Sequence, residues 1–164
     1  MPNASEPPGP VIVTGAGGLI GHKLVETAPR HVPDWRVRGL RRTDLDLTDG
    51  AAVARLLRAE RPSLVIHCAA ISKSPVCDAN RDLAYRTNVE ATRYLAEAAP
   101  DVPFIFFSTD LVFDGAKGDY LETDAPNPLM FYGETKARAE ELLRAHPRHL
   151  IVRISLTGGT SPTG

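Results

Sequence analysis

Three side chains in the second half of the sequence have the types and spacing of a proton-transfer site. Tyr132 and Lys136 are four residues apart in a segment of helical periodicity, which places them on one face, one turn apart. A phenol that donates a proton near neutral pH needs a pKa below its usual value of about 10, and we expect the Lys136 ammonium to lower it. Thr109 ends an apolar run expected to be a central strand, where its hydroxyl can stabilise an oxygen that becomes negative. The trio indicates acid–base chemistry, although Tyr-x-x-x-Lys alone is equally typical of an ordinary amphipathic helix.

A glycine-rich segment near the start of the sequence has the spacing of a phosphate-binding turn. The apolar run from Val11 continues into Gly15, Gly18 and Gly21, and a helical pattern follows. In such a turn the first glycine permits the tight bend, the second lets a pyrophosphate approach the backbone, and the third lets the helix pack on the strand. Free amides at the start of the helix face the phosphates. The segment predicts dinucleotide binding, and the alternative is a merely glycine-rich turn.

Two arginines stand where a dinucleotide-binding fold usually carries an acid. In such folds the second strand ends about 20 residues after the glycines in a carboxylate that holds the ribose 2′-hydroxyl. Arg41 and Arg42 occupy that place and can clamp a 2′-phosphate, so we expect NADP(H) to be preferred and NAD(H) to be the second choice. Solvated surface arginines are the alternative. We expect Asp46 to accept from the adenine amino group, with helix capping in the stretch Asp46 to Asp49 as the alternative.

Small residues follow the third apolar run, which ends at His67. Ala69 and Ala70, and then Ile71, are expected at a sheet edge where a bound cofactor leaves no room for larger side chains. Tight packing is the alternative explanation for their size. No second imidazole lies near His67 in the sequence, so we interpret His67 as structural and expect no metal site.

The elements that must position these residues are those of a doubly wound parallel α/β sheet. Short β-branched runs alternate with longer segments of helical periodicity, which is typical of strands joined by crossover helices. The stretch 114–127, rich in Gly, Asp and Pro, is expected to be a surface loop at the carboxyl edge of the sheet, where ligand sites form. Strands are predicted at 11–14, 36–40, 64–68, 104–108 and 150–154, and helices at 19–27, 50–59, 80–99 and 131–145.

Length, charge and cysteine content limit the classes of function. The 164 residues suffice for one domain, and the net charge of -1 comes from interspersed acids and bases, which argues against nucleic acid or a membrane surface as a partner. The two cysteines lie in neither a metal-ligand nor a redox spacing, and the first ten residues lack the apolar core of a signal peptide. We therefore expect a cytoplasmic protein.

Taken in order, these motifs resemble those of the extended short-chain dehydrogenase/reductases, and within them the dTDP-4-dehydrorhamnose reductase group. The resemblance runs from Val11 to about Ser155 and implies a Rossmann-type fold. One departure is that the family more often has an acid where Arg41 stands. The resemblance rests on TGAGGLIG at 14–21, DLDLTD at 44–49, CAA at 68–70, TNV at 87–89, STDLVFDG at 108–115, ETD at 122–124, NPL at 127–129 and YGETK at 132–136.

The resemblance also implies roles for individual residues. Thr109, Tyr132 and Lys136 match the catalytic trio, in which Lys136 tunes Tyr132 and holds the cofactor ribose. Thr109 and Asp110 are expected to touch the sugar, and Asn88 to shape the site. The expected cofactor contacts are Gly15, Gly18, Leu19, Ile20, Gly21, Arg41, Arg42, Asp46, Leu47, Ala69, Ala70, Ile71, Asn88, Ser108, Tyr132 and Lys136.

The expected function is that of an NADP(H)-dependent reductase of a nucleotide-linked 4-keto-deoxysugar. The alternatives are a sugar-nucleotide epimerase or dehydratase with bound NAD, and a non-catalytic nucleotide-binding regulatory subunit. We expect a flexible tail over 1–10, a dinucleotide-binding Rossmann domain over 11–156, and over 157–164 a loop leading toward a carboxyl-terminal substrate region. The family has that region and this sequence does not contain it, so we expect a fragment whose own activity is poor. The resemblance leaves a homodimer open.

Overall fold

Five parallel strands form one sheet in the order β2-β1-β3-β4-β5 in this computed structural model, which describes residues 9–155. The Rossmann-like class is confirmed, and each predicted strand is present with ends that differ by at most one residue. The central strand is β3, so Thr109 ends the strand beside it. The expected tail, except for its last two residues, and the expected loop over 157–164 lie outside the described residues. The strands are β1 (Val11–Thr14), β2 (Val37–Leu40), β3 (Leu64–His67), β4 (Phe104–Thr109) and β5 (His149–Ile154).

Helices connect successive strands, and the four predicted helical segments are present. The first runs four residues further than predicted and contains Pro29 in its last turn, which removes one helical hydrogen bond without ending the helix. The helix at Ser74–Ala79 was not predicted, since six residues are too few to show a helical period. The helices are α1 (Leu19–His31), α2 (Gly50–Glu60), α3 (Ser74–Ala79), α4 (Arg81–Tyr85), α5 (Ala91–Ala98) and α6 (Phe131–Arg144), and a 3-10 turn covers Asp110–Val112.

The segment predicted as one helix over 80–99 is interrupted by a π-helical turn at Arg86–Glu90, between α4 and α5. Such turns insert one extra residue into a helix and are frequent at functional sites. Thr92, two residues after this turn, donates its hydroxyl to the Asn88 carbonyl at 2.8 Å. Both Asn88 and Val89 are buried, so the turn directs an amide side chain into the protein.

The hydrophobic core lies between the sheet and helices α2, α5 and α6. Strand β1 is buried along its whole length, and Phe104 and Phe106 bring two fully buried rings from β4. Each such side chain stabilises the fold by about 1.5–3 kcal/mol. The strands whose ends carry the candidate site are therefore packed tightly in the core. The buried cluster comprises Ile12, Leu40, Val53, Leu57, Val65, Leu95, Ala99, Phe104, Phe106, Ala139 and Leu143.

Candidate active site

The carboxyl ends of β1, β3 and β4 meet at one edge of the sheet. Thr14, the last residue of β1, is level with Leu40 of β2 on one side and with His67 of β3 on the other. The chain runs from β1 outward to β2 and then crosses to β3, so the direction of winding changes between β1 and β3. Ligands of open α/β sheets bind at such a switch point. The segments that follow Thr14, His67 and Thr109 all lead into this edge.

In the glycine turn after β1, two of the three glycines leave no space for a side chain, and the third does. Gly15 has φ +70°, and a Cβ there would lie 2.6 Å from the Ala69 nitrogen. At Gly21 a Cβ would lie 2.4 Å from the Gly15 carbonyl oxygen, so α1 packs directly on the turn. Gly18 has extended backbone, and among the described residues a Cβ there would meet only the Gly15 oxygen, at 3.4 Å. The backbone at Gly18, where α1 begins, therefore faces space that an incoming group can use.

The segment after β3 is anchored by His67. Its Nδ1 lies 2.6 Å from Thr14 Oγ1, and its Nε2 lies 3.1 Å from Thr92 Oγ1. Burial, together with the nearby charge of Lys136, lowers the pKa of His67 to about 3, so the ring is neutral. This arrangement agrees with a structural role. The Ala69 amide donates to Thr14 Oγ1 at 3.4 Å, which draws the small residues against the glycine turn.

Asn88 connects the segment after β3 to α6. Its Oδ1 accepts from the Ile71 amide at 2.8 Å, and its Nδ2 donates to the Ile71 carbonyl and to Thr135 Oγ1, each at 3.0 Å. The Thr135 hydroxyl in turn donates to the Tyr132 carbonyl at 2.7 Å. Asn88 thus holds the loop at Ile71 against the first turn of α6, which carries Tyr132.

Tyr132 is buried in the first turn of α6, in a small cluster with Cys77. Burial raises its pKa above the usual value, and Cys77 and Asp110 act in the same direction, while a hydrogen bond with Thr109 opposes them. The expectation that Lys136 lowers this pKa is therefore wrong for this structure. The reason is that the Lys136 ammonium lies over the Phe106 ring, 3.8 Å from its centre, and so faces β4.

Lys136 is almost fully buried one turn along α6. Burial lowers its pKa to about 7, and the opposite influence of Cys68 and Glu140 only partly offsets this. Lys136 therefore loses its proton more readily than an exposed lysine. Small changes in the charges around Lys136 therefore alter the fraction of molecules that carry the cation.

The end of β4 carries three adjacent polar residues with different partners. The Thr109 hydroxyl donates to Asp110 Oδ1 at 3.1 Å and accepts from the Leu111 amide at 3.2 Å. The Ser108 hydroxyl donates to Glu140 of α6 at 2.6 Å, so toward a cofactor its side chain can only accept a hydrogen bond. Asp110 is exposed at the edge of the sheet, where a substrate can reach it.

Arg41 and Arg42 follow directly after β2, at the expected offset from the glycines. The Leu40 carbonyl accepts from the Ala16 amide at 3.1 Å, which joins the end of β2 to the glycine turn. Both arginine side chains are exposed. Arg42 lies close enough to Asp46 that its charge contributes to a lowered pKa of that carboxyl. The two guanidinium groups are therefore accessible beside the turn.

The acidic side chains after β2 mostly accept hydrogen bonds from residues nearby in the sequence. Asp46 Oδ1 accepts from the amide and the hydroxyl of Thr48, at 2.9 and 2.7 Å, and these bonds are the main cause of the lowered pKa of Asp46. Asp49 caps α2 by accepting from the Ala52 amide at 2.9 Å. Leu47 packs against the hydrophobic core. The capping alternative is thus present, while adenine recognition by Asp46 stays a prediction.

The Asp114 carboxylate connects the two ends of the loop over 114–127, and Asp124 accepts further bonds within it from Lys117 and the Leu121 amide. Asp114 accepts from the Tyr120 hydroxyl at 2.5 Å and from Asn127 Nδ2 at 2.7 Å. These bonds and that from the Ala116 amide lower its pKa to about 2. The loop forms one wall of a groove of about 980 Å³ that also contacts Asp110 and β5. This groove opens beside the candidate site and does not include Tyr132 or Lys136.

The family of the chain follows from a comparison with known protein families. A family model described as the RmlD substrate binding domain matches residues 9–162, which is nearly the whole chain. The chain belongs to this family. The resemblance to dTDP-4-dehydrorhamnose reductases that the motifs predicted is thereby confirmed.

Members of the RmlD family and related proteins match most of this chain. It is 36% identical over 153 residues to a dTDP-4-dehydrorhamnose reductase of Aggregatibacter actinomycetemcomitans, covering 91% of the chain and 52% of that protein. It is 34% identical over 157 residues to methionine adenosyltransferase 2 subunit beta of Danio rerio, covering 91% and 48%. The crystal structure of a Bacillus anthracis dTDP-4-dehydrorhamnose reductase in complex with NADP superposes with a TM-score of 0.84 at 31% identity, covering 93% and 55%. The chain spans about half the length of these relatives.

Three residues that contact the candidate site were not among the predicted site residues. Cys77 packs against Tyr132 from α3, Thr135 links Asn88 to the Tyr132 carbonyl, and Glu140 binds Ser108. Thr135 lies inside the Tyr-x-x-x-Lys segment, and Glu140 stands four residues after Lys136, so helical spacing alone places both near the site. Nothing in the sequence near Cys77 indicates its contact, because it depends on how α3 folds back onto α6.

Two further features concern the described residues only. Between residues 9 and 155, no helix has the length and apolar character needed to cross a membrane. In the same range, no group of three or more His, Cys, Asp or Glu side chains is arranged to hold a metal ion.

Proposed function

We propose that this chain is the nucleotide-binding part of an NADP(H)-dependent reductase that acts on the 4-keto group of a nucleotide-linked deoxysugar. The observation that carries the proposal is that Thr109 ends β4 at the same sheet edge as the glycine turn. Helix α6 begins beside this edge and brings Tyr132 and Lys136 to it. Membership of the RmlD family and the similarity to proteins named dTDP-4-dehydrorhamnose reductase support it. The proposed substrate is therefore a dTDP-linked 4-keto-deoxysugar.

The glycine turn fits the pyrophosphate of a dinucleotide. The open space at Gly18 and the first amides of α1, at Leu19 and Ile20, offer hydrogen-bond donors with no acidic residue in the first helical turn to repel an anion. Ala69 and Ala70 are partly exposed and small enough to lie against the nicotinamide half. When bound, the nicotinamide supplies the hydride.

The side chains of the site then control the proton. The Tyr132 phenol keeps its proton at neutral pH and is the proposed donor to the sugar oxygen that receives negative charge. Donation requires that a nearby positive charge offset the rise in pKa that burial causes, and a Lys136 ammonium turned from Phe106 toward Tyr132 would supply it. Thr109 hydrogen-bonds the same oxygen once its hydroxyl turns away from Asp110. Lys136, one helical turn from Tyr132, would hold the ribose once its ammonium turns away from the Phe106 ring.

A spectrophotometric assay of NADPH oxidation tests the proposed function. Because we expect the chain alone to bind the sugar weakly, purified chain, NADPH and dTDP-4-dehydrorhamnose at high concentration are expected to give slow NADPH consumption and a dTDP-linked product with a hydroxyl in place of the keto group. A rate that does not exceed that of a sample without protein contradicts the proposal. Stoichiometric NAD that copurifies with the chain would instead indicate the epimerase alternative.

Replacement of Gly18 by Ala is expected to weaken NADPH binding without unfolding the protein. The backbone at Gly18 is extended and the new methyl group meets only the Gly15 oxygen at 3.4 Å, so we expect the free energy of unfolding to change by less than about 0.5 kcal/mol. The methyl group would occupy the space proposed for the pyrophosphate, and we expect the Kd for NADPH to rise about tenfold or more. Fluorescence titration and urea unfolding measure the two quantities.

The matched control for this substitution is Gly118→Ala. A Cβ at Gly118 has no described atom within 4 Å, and this residue lies in the loop after β4. We expect neither stability nor NADPH affinity to change in that variant. An unchanged Kd in Gly18→Ala would show that the pyrophosphate does not contact this turn.

The double substitution of Arg41 and Arg42 by Ser is expected to abolish the preference for NADPH. Both side chains are exposed beside the glycine turn, and each charge-assisted bond to a 2′-phosphate contributes about 1.5–3 kcal/mol. Loss of one to two such bonds raises the Kd for NADPH by about 10- to 100-fold or more, while the Kd for NADH should stay constant. Isothermal titration with both cofactors measures the ratio.

Arg36→Ser provides the control for this double substitution. Arg36 is an exposed residue just before β2, at the opposite end of the strand, and its removal changes net charge without reaching the site. The ratio of its Kd values for NADPH and NADH should equal that of the unaltered protein. Equal loss of NADPH and NADH affinity in the double variant would favour the view that the two arginines are ordinary surface residues.

A second candidate function is a non-catalytic nucleotide-binding subunit of a larger enzyme. The observation that favours it is the 34% identity to a protein named as a subunit of methionine adenosyltransferase. The chain would then bind the dinucleotide for stability and dock onto its partner. Size-exclusion chromatography with purified methionine adenosyltransferase from the same organism separates the two functions. A stoichiometric complex without NADPH oxidation would favour the subunit.

A further inference from the structure

A carboxylate with no exposed surface lies directly beneath the candidate site. Glu140 belongs to α6, one turn after Lys136, and is 0% exposed. Ser108 Oγ donates to it at 2.6 Å, Arg153 donates through Nε and Nη2 at 3.0 and 2.7 Å, and Arg144 Nη2 donates at 3.3 Å. Removal of an ionised carboxyl from water is costly unless it is paired and hydrogen-bonded in this way. Burial alone would raise the pKa of Glu140, but the bonds from Arg153 and Ser108 keep it below the usual value.

The partners of Glu140 belong to the elements that build the site. Ser108 precedes Thr109 on β4, and it is level with Arg153 on the neighbouring strand β5. Glu140 therefore fastens the ends of two strands to the helix that carries Tyr132 and Lys136. Truncation of this side chain would free the carboxyl end of β4 from α6, and Thr109 is the last residue of that strand.

The charge of Glu140 acts on Lys136 as well as on the strands. The titratable groups that influence the Lys136 ammonium are the Cys68 thiol, after β3, and the Glu140 carboxylate on α6, while His67 on β3 stays neutral. The Cys68 thiol is itself uncharged near neutral pH, because burial raises its pKa to about 12. Glu140 is thus the negatively charged group that favours the protonated form of Lys136.

We propose that Glu140 is a positioning residue of the candidate site, which holds the Thr109 end of β4 against α6 and places a buried negative charge one helical turn from Lys136. Its consequence for catalysis rests on the proposed reductase function. The charge of Lys136 can nevertheless be measured without cofactor or substrate, so the two proposals are tested separately.

Nuclear magnetic resonance of the lysine Cε groups measures that charge directly. The sequence contains four lysines, Lys23, Lys73, Lys117 and Lys136, so protein labelled with ¹³C-lysine gives few signals and a Lys136→Met variant assigns the buried one. Exchange of the Glu140 carboxylate for an amide removes the anion and leaves the Arg144 and Arg153 cations uncompensated. In Glu140→Gln we therefore expect the titration midpoint of Lys136 to fall by about 1 pH unit or more.

The control is Glu141→Gln, which removes the same charge from the next residue, an exposed position on the same helix. Its Lys136 midpoint should match that of the unaltered protein to within a few tenths of a pH unit, as for other screened surface charges. Equal midpoints in the two glutamine variants would overturn the proposal. Restoration of the midpoint in Glu140→Asp, which keeps the charge, would support it.

Arg144→Gln keeps the proposal testable if Glu140→Gln does not fold. The Arg144 side chain is 50% exposed, so its replacement should be tolerated, and it removes a cation that compensates Glu140. The Lys136 midpoint is then expected to rise, opposite in sign to the effect of Glu140→Gln. An unchanged or lower midpoint in Arg144→Gln contradicts the proposed role of Glu140.

The reductase assay adds a functional readout to the spectroscopic one. If Lys136 must be charged for turnover, activity declines as pH rises through its pKa, and Glu140→Gln moves that decline to lower pH. A variant that merely loosened the fold would lower the rate equally at all pH values, and this outcome would overturn the proposal. A shifted lysine midpoint in a protein without reductase activity would support the role of Glu140 and contradict only the proposed function.

Discussion

Tyr132→Phe is expected to lower the rate of keto-sugar reduction by about 10²–10⁴-fold, the usual contribution of a positioned general acid. The substitution removes one oxygen atom from a ring that is already buried beside Cys77, so packing and the start of α6 should be unchanged. Hydride transfer then leaves the substrate oxygen without a proton donor, because Thr109 can only share its own hydroxyl proton in a hydrogen bond. The rate of NADPH oxidation at saturating substrate measures the effect.

NADPH affinity and a matched variant separate this catalytic effect from a structural one. The Kd for NADPH in Tyr132→Phe should stay within about fivefold of the original value, since loss of one hydrogen bond costs about 1 kcal/mol. Tyr85→Phe removes the same hydroxyl from an exposed residue of α4 and should retain full activity. A rate in Tyr132→Phe equal to that of Tyr85→Phe would show that Tyr132 is not the proton donor.

Gly15→Ala is expected to destabilise the protein by about 2–4 kcal/mol and to abolish NADPH binding. At φ +70° an alanine is strained, and its Cβ would also lie 2.6 Å from the nitrogen of Ala69, which is backbone and cannot rotate away. Relief of this contact requires the glycine turn and the segment after β3 to separate, and the proposed cofactor lies between them. Urea unfolding gives the free energy, and fluorescence titration gives the affinity.

Gly115→Ala distinguishes backbone strain from the close contact. Gly115 has φ +74°, nearly that of Gly15, but a Cβ there has no described atom within 4 Å. Its replacement should cost only the strain of about 1–2 kcal/mol and leave cofactor binding intact. The difference between the two alanine variants then measures the contact between the turn and Ala69. Equal losses of stability would show that this contact is unimportant.

The predicted strands agree with the structure to within one residue because most are short runs of β-branched or aromatic residues that differ from the helical segments around them. Val11–Thr14, for example, is apolar at three of four positions and is buried throughout. The glycine spacing likewise predicted a turn that is closed at Gly15 and Gly21 and open at Gly18. These features depend on local conformation and spacing, which the order of residues specifies directly.

The π-helical turn and α3 could not be predicted in this way. A helical pattern over 80–99 does not show where an extra residue is inserted, and that insertion is what directs Asn88 toward Ile71 and Thr135. The expected effect of Lys136 on Tyr132 was wrong for a related reason. Residues one helical turn apart share a face, but the direction of a long side chain is set by the elements packed against it, here β4 with Phe106.

The sequence alone determined the class of fold, the order of the motifs and the identity of the three candidate catalytic side chains, because periodicity and spacing are properties of the chain itself. The tertiary structure decided their electrostatics. Burial raises the pKa of Tyr132 and lowers that of Lys136, and Glu140 meets Ser108 and Arg153 only when β4, β5 and α6 pack together. Desolvation and long-range pairing depend on which residues surround a group in space, and that information arises only when the strands and helices assemble.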